Sequence, residues 1–142
     1  MNQYRVLKEK HQQEVNNFPL MFAFNKKQFA EGMEKLGLKE TDTNKILSIG
    51  GGGYLKKSDK KSFDDILARH DTERKEAVNN DTDGTGYIFD MFKYELNNHE
   101  YCYTGDISDT LDCLGYTREE INQDAKLLKG LNLAINKCKY ED

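Results

Sequence analysis

The chain has 142 residues and a mass of 16.4 kDa, a size that suits one domain with a core of several helices. Hydrophobic residues make up 37% and charged residues 32%, and the mean hydropathy is -0.87. Seven Phe and eight Tyr nonetheless supply enough apolar area to favour folding over disorder. The net charge of -4 argues against a general nucleic-acid binder, and the most apolar stretch, Phe18–Phe24, falls far short of the ~20 residues of a membrane span.

Periodicity predicts a first helix from about Asn2 to Asn16, with Tyr4, Leu7, His11, Val15 and Phe18 on one stripe. Pro19 ends it, because the residue before proline is pushed out of the α region. The segment Phe18–Phe24 then crosses the core as extended chain. Asn25 caps a second helix that turns Phe29, Met33 and Leu36 inward, and Gly37 supplies its left-handed end. Ile46–Ile49 and Tyr54–Lys57 flank Gly50–Gly53 and read as a β-hairpin. Ser62 opens a regular helix with Asp65 at the capping-box position, and its stripe holds Phe63, Ile66, Leu67, His70, Arg74, Ala77 and Val78. After an Asp-Gly-rich loop, a helix from about Tyr87 to Asn98 buries Ile88, Met91, Phe92 and Glu95 or Leu96. Ser108 caps a short turn stopped by Gly115, and Thr117 with Glu120 forms a capping box. A last helix aligns Leu127, Leu128, Leu131, Ala134, Ile135 and Cys138. The sum is an α+β fold, mostly α: residues 1–142 form a single domain of about five to seven helices with one small antiparallel β-hairpin.

Charge is unevenly spread. Residues 1–60 carry eleven Lys/Arg against seven Asp/Glu, whereas residues 81–112 carry eight acids against Lys93 alone. Such a one-signed stretch is felt by a basic partner within a Debye length of about 8 Å at physiological salt. The three cysteines, Cys102, Cys113 and Cys138, are odd in number and dispersed. They read as reduced thiols, mainly small buried hydrophobes, and together with the lack of an apolar leader they point to a cytoplasmic protein.

Asp81-Thr82-Asp83-Gly84-Thr85-Gly86-Tyr87-Ile88 follows the first eight positions of an EF-hand loop, with Asp81, Asp83 and Thr85 at positions 1, 3 and 5. Position 12 should be a bidentate Glu and is Phe92; position 9 is Phe89. Two carboxylates do not satisfy a cation that takes 6–8 oxygens. The loop is therefore expected to be a turn in which Asp81 or Asp83 caps the next helix, with no metal or cofactor bound. Gly50–Gly53 followed by Tyr54, Lys56, Lys57 and Ser58 suggests a phosphate cradle, but the spacing matches neither a P-loop nor a dinucleotide fingerprint, so a flexible hairpin tip is expected. His70 and His99 lie on successive helices, with Glu100, Cys102 or Asp106 near the second, and offer an alternative metal or acid–base site. No H-E-x-x-H or C-x-x-C spacing supports it.

The strings Phe22-Ala-Phe24, Gln28-Phe29, Ile49–Asp59, Arg69-His-Asp71, Gly86–Phe92, Tyr94–Tyr101 and Leu111–Thr117 together resemble a family of roughly 140-residue proteins of unknown function from phages, plasmids and integrative elements of gut Firmicutes. The resemblance spans nearly the whole chain and implies a mobile-element accessory protein without catalytic residues. The expected function is protein–protein binding in the bacterial cytoplasm, as an inhibitor of a host defence or nucleic-acid-processing enzyme. Candidate contact residues are Gly51, Gly52, Gly53, Tyr54, Lys56 and Lys57 at the hairpin, and Asp81, Asp83, Asp106 and Asp109 facing a basic partner surface. A nucleic-acid-binding factor using Lys26, Lys27, Lys56, Lys57, Lys60 and Lys61 is a further alternative that the net acidity disfavours.

Overall fold

The computed structural model describes residues 1–140, and its side chains through Cys138. Among them are eight α-helices, two 3-10 turns and a three-stranded antiparallel sheet, so the fold is α+β and mostly α. Among the described residues, no helix is long and apolar enough to cross a membrane. The chain divides into two compact units, one of Met1–Lys10 with the chain from Thr72 onward, the other of His11–Asp71. The division falls within α1 (Gln3–Asn17) and α3 (Lys60–Asn80).

The first unit is organised on α4 (Tyr87–Asn98) and α8 (Ala125–Tyr140), with α5 (Tyr101–Thr104), α6 (Ser108–Leu114) and α7 (Arg118–Gln123) between them in the chain. Ile88, Met91, Phe92 and Leu96 of α4 pack with Leu127, Leu131 and Ala134 of α8, joined by Tyr4, Leu111 and Ile121. Each large side chain so buried contributes about 1.5–3 kcal/mol. The α8 stripe is thus the expected one. The capping box of Thr117 and Glu120 forms at α7, both of its hydrogen bonds present. Ser108 does not cap α6: it is the first helical residue, and Asp106 accepts its backbone N–H at 2.8 Å. The single turn α5 has no periodic signal that would announce it.

α4 and α8 meet through glycine. A Cβ on Gly130 would lie 2.5 Å from Ile88 Cγ2 and 2.8 Å from the Gly84 carbonyl oxygen. Gly84, with φ +90°, would place its own Cβ 2.2 Å from the Lys126 carbonyl oxygen.

In the second unit, β1 (Leu20–Phe22), β2 (Ile46–Gly50) and β3 (Gly53–Lys56) form a sheet in the order β1-β3-β2. Leu20 pairs with Leu55, Met21 with Tyr54 and Phe22 with Gly53. The expected hairpin is therefore present but carries a third strand, drawn from the segment expected to cross the core. Only Leu20 and Met21 of that segment are buried; Phe22 shares a strand face with Leu20 but is exposed. Asn25 caps α2 (Lys26–Lys35) by accepting the Gln28 N–H at 2.8 Å, and Gln28 Oε1 accepts the Phe24 N–H in return. Met21, Met33, Leu36 and Ile46 form one small core, and Leu20, Leu55 and Phe63 another. α3 begins at Lys60 rather than after a Ser62 cap, since the 3-10 turn Lys57–Asp59 runs directly into it.

Gly130→Ala gains about 1 kcal/mol of helix propensity but overpacks the α4–α8 contact, which costs about 1–3 kcal/mol. Its urea midpoint is expected to fall. Gly84→Ala adds left-handed strain of about 1–2 kcal/mol to a backbone collision, and its midpoint should fall further.

Candidate functional site

The Asp81 loop is a helix cap. Asp81 is 8% exposed, and its Oδ1 accepts the N–H groups of Asp83 and Gly84 at 3.3 and 2.8 Å. Its Oδ2 accepts those of Gly86 and Ile88 at 3.1 and 2.9 Å. Two of these amides lie at the start of α4, where donors have no intrahelical partner. Burial alone would push the Asp81 carboxyl up, but the four amides outweigh it and hold the group below its ordinary range. Asp83 accepts from Thr85 N and Oγ1, and Lys126 Nζ donates to the carbonyls of Val78, Asn79 and Asp81. Phe92, at the position of the bidentate ligand, is fully buried in the core. Asp81→Asn is expected to cost about 2 kcal/mol by urea denaturation at pH 7. Because the folded-state pKa is depressed, this contribution is complete above the ordinary carboxylate value of about 3.9. It is lost as pH falls through the lower folded value, so wild type and variant should converge in acid. Calcium at about 1 mM should leave the Tm of both unchanged.

A second carboxylate organises the other end of α4. Glu95 is 0% exposed, and Oε1 accepts from Tyr4 Oη and Lys8 Nζ, both at 3.0 Å. Oε2 accepts the Cys113 thiol at 3.3 Å and stands 3.3 Å from Nε2 of His99, four residues on at the C-cap of α4. Thr110 Oγ1 donates to the Glu95 carbonyl at 3.2 Å. Burial raises the Glu95 carboxyl, yet Lys8, Cys113 and Tyr4 together hold it below the usual range. In return the Tyr4 hydroxyl is driven far up, first by burial and then by Glu95. The Cys113 thiol is also raised, by burial and by the hydrogen bond to Glu95, so it is disfavoured as a thiolate nucleophile. Glu95→Gln should lower stability by about 2–3 kcal/mol at pH 7 by urea denaturation. Most of this comes from the buried side of the network, since Lys8 is half exposed.

His70 and His99, paired in the sequence reading, have different settings. His70 stacks on His11 with centroids 3.8 Å apart, and its Nε2 is 3.4 Å from Glu14 Oε1, which also receives the Arg69 guanidinium. Burial first, then the facing His11, hold His70 below its ordinary pKa despite Glu14. It is a neutral core histidine at pH 7. The cysteines also depart from expectation: Cys102 of α5 is disulfide-bonded to Cys138 of α8 with Cα atoms 5.8 Å apart, and Cys113 is exposed rather than buried. A separation of 36 residues gave no spacing signal for that pairing.

At the hairpin tip, Gly51 and Gly52 have φ of 58° and 79°. The Phe24 ring covers Gly52 so closely that a Cβ there would lie 2.5 Å from it; Gly53 is covered by Phe22 and Ile49 in the same way, at 2.9 Å each. The glycines thus seat two aromatic rings. Those rings remain open to solvent, Phe22 at 58% and Phe24 at 76%. Tyr54 packs edge-on against Phe29, Lys56 lies in β3, and Lys57 in the following 3-10 turn. Lys60 and Lys61 pair with Asp64 and Asp65 one helical turn on, which weakens a phosphate-binding reading of the lysine cluster. Asp83, Asp106 and Asp109 are exposed; Asp81, as the cap, presents no surface charge. Sequence reasoning missed Phe22, Phe24 and Cys113 as site residues. For Glu95 and His99 the four-residue spacing was visible, but nothing local marked Cys113 as their neighbour.

No curated protein and no solved structure matches the chain. A family model matches residues 3–137, nearly its whole length, and the chain belongs to the family of unknown function DUF7659.

Proposed function

We propose that the protein is a non-enzymatic binding module that docks on another protein through the Phe22–Phe24 edge of its hairpin tip. The observation that carries this is the pair of rings held open to solvent on a glycine floor. Aromatic side chains fixed before binding lose little entropy on docking, and such anchors dominate protein interfaces. An apolar pocket on the partner suits them. In the other unit, the exposed carboxylates of Asp83, Asp106 and Asp109 suit a basic partner surface. We read the partner as a host defence or nucleic-acid-processing enzyme in the bacterial cytoplasm, inhibited by a mobile-element accessory protein; the family resemblance described above supports this step.

The test is capture from host cytosol at two salt concentrations, with the retained protein then purified for direct titration. Phe22→Ser/Phe24→Ser should weaken binding at least about tenfold while leaving the circular dichroism spectrum unchanged. Asp83→Lys/Asp106→Lys/Asp109→Lys should weaken it more at low salt than at high salt. Undiminished binding by the Phe double variant would sink the docking surface.

A further inference from the structure

We propose that Glu95 Oε2, His99 Nε2 and Cys113 Sγ form a binding site for a zinc-like divalent transition metal, which clamps α6 to α4. The three donor atoms lie within 4.8 Å of one another. Metal bonds of 2.0–2.3 Å in a tetrahedron put neighbouring donors about 3.3–3.7 Å apart. Two of the three edges already have that length: Oε2 lies 3.3 Å from the histidine nitrogen and 3.3 Å from the thiol sulfur. The third, between the thiol sulfur and the histidine nitrogen, is at most 4.8 Å, and Cys113 is an exposed residue.

The orientation of the groups favours a shared ion over a direct contact. His99 Nε2 is buried and close to Oε2, yet the two are not aligned as a hydrogen bond. Both then converge on the space beside the thiol. The opposite carboxylate oxygen, Oε1, is fixed by Tyr4 Oη and Lys8 Nζ. Outer partners of this kind orient a metal-ligating carboxylate. Lys8 is the cation that would oppose a metal, but it binds Oε1, leaving Oε2 to the His99 and Cys113 side. The donor set of one imidazole, one thiolate and one carboxylate suits zinc or cobalt(II) and is too soft for calcium or magnesium. On binding, the Cys113 S–H bond breaks, its proton passes to solvent, and a sulfur–metal bond replaces the hydrogen bond to Oε2. Water completes the fourth position.

Cobalt(II) is the probe, added to metal-stripped protein in the Cys102→Ser/Cys138→Ser background, where Cys113 is the one remaining thiol. A near-ultraviolet thiolate-to-cobalt charge-transfer band should appear and be displaced by zinc. Cys113→Ser should abolish the band, and His99→Ala should weaken cobalt binding at least about tenfold. Circular dichroism checks that each variant is folded, and the same titration of the protein with its native cysteines guards against a defect from the double substitution. Absence of the band from both folded backgrounds, or its survival in Cys113→Ser, overturns the site.

Discussion

Glu95 is the constraint on which the first unit depends. A carboxylate with no solvent exposure is tolerated only when its charge is compensated and its oxygens are occupied. Lys8 compensates the charge while remaining half in water, with its ammonium 5.7 Å from the Tyr4 ring centroid and 5.2 Å from that of Tyr94. Tyr4 occupies the same oxygen from the same helix. Cys113 and His99 face the other oxygen. One side chain therefore fixes where the start of α1 and the middle of α6 lie on α4.

Asp81 plays the matching part at the other end of α4. Its carboxylate takes up four backbone donors of the loop and first turn, so the loop that resembles a calcium site is already saturated by amides. Between the two acids the helix is apolar on its buried side, and burial pushes the Tyr87 hydroxyl up to about 12. The unit is thus built around two ionised groups held by geometry rather than by solvent. In the other unit the apolar rings of Phe22 and Phe24 are left outside, and the proposed docking function rests on those rings.

Local features were legible in the sequence. α4 runs from Tyr87 to Asn98 as the periodicity indicates, the Thr117–Glu120 box forms, and Leu127, Leu131, Ala134 and Cys138 bury together. Each depends on residues within a few positions of one another. What the sequence did not disclose depends on remote partners. β1 exists because Leu20–Phe22 finds β3, and Cys102 meets Cys138 across 36 residues. The apolar character of Phe22 and Phe24 suggested burial, whereas both rings lie exposed against the tip glycines Gly53 and Gly52, a contact no local pattern announces. Glu95 was legible as an interior position of α4, but its role follows from Tyr4, Lys8 and Cys113, three residues far from it in sequence.

The most direct measurement is the titration of the Glu95 side-chain carbonyl by carbon-detected NMR. Protonation below the ordinary glutamate value of about 4.3 is the predicted result, since Lys8, Cys113 and Tyr4 outweigh burial. A midpoint above that value would mean that Glu95 is buried as a neutral acid. The ion pair with Lys8 would then not be the constraint that organises the helices.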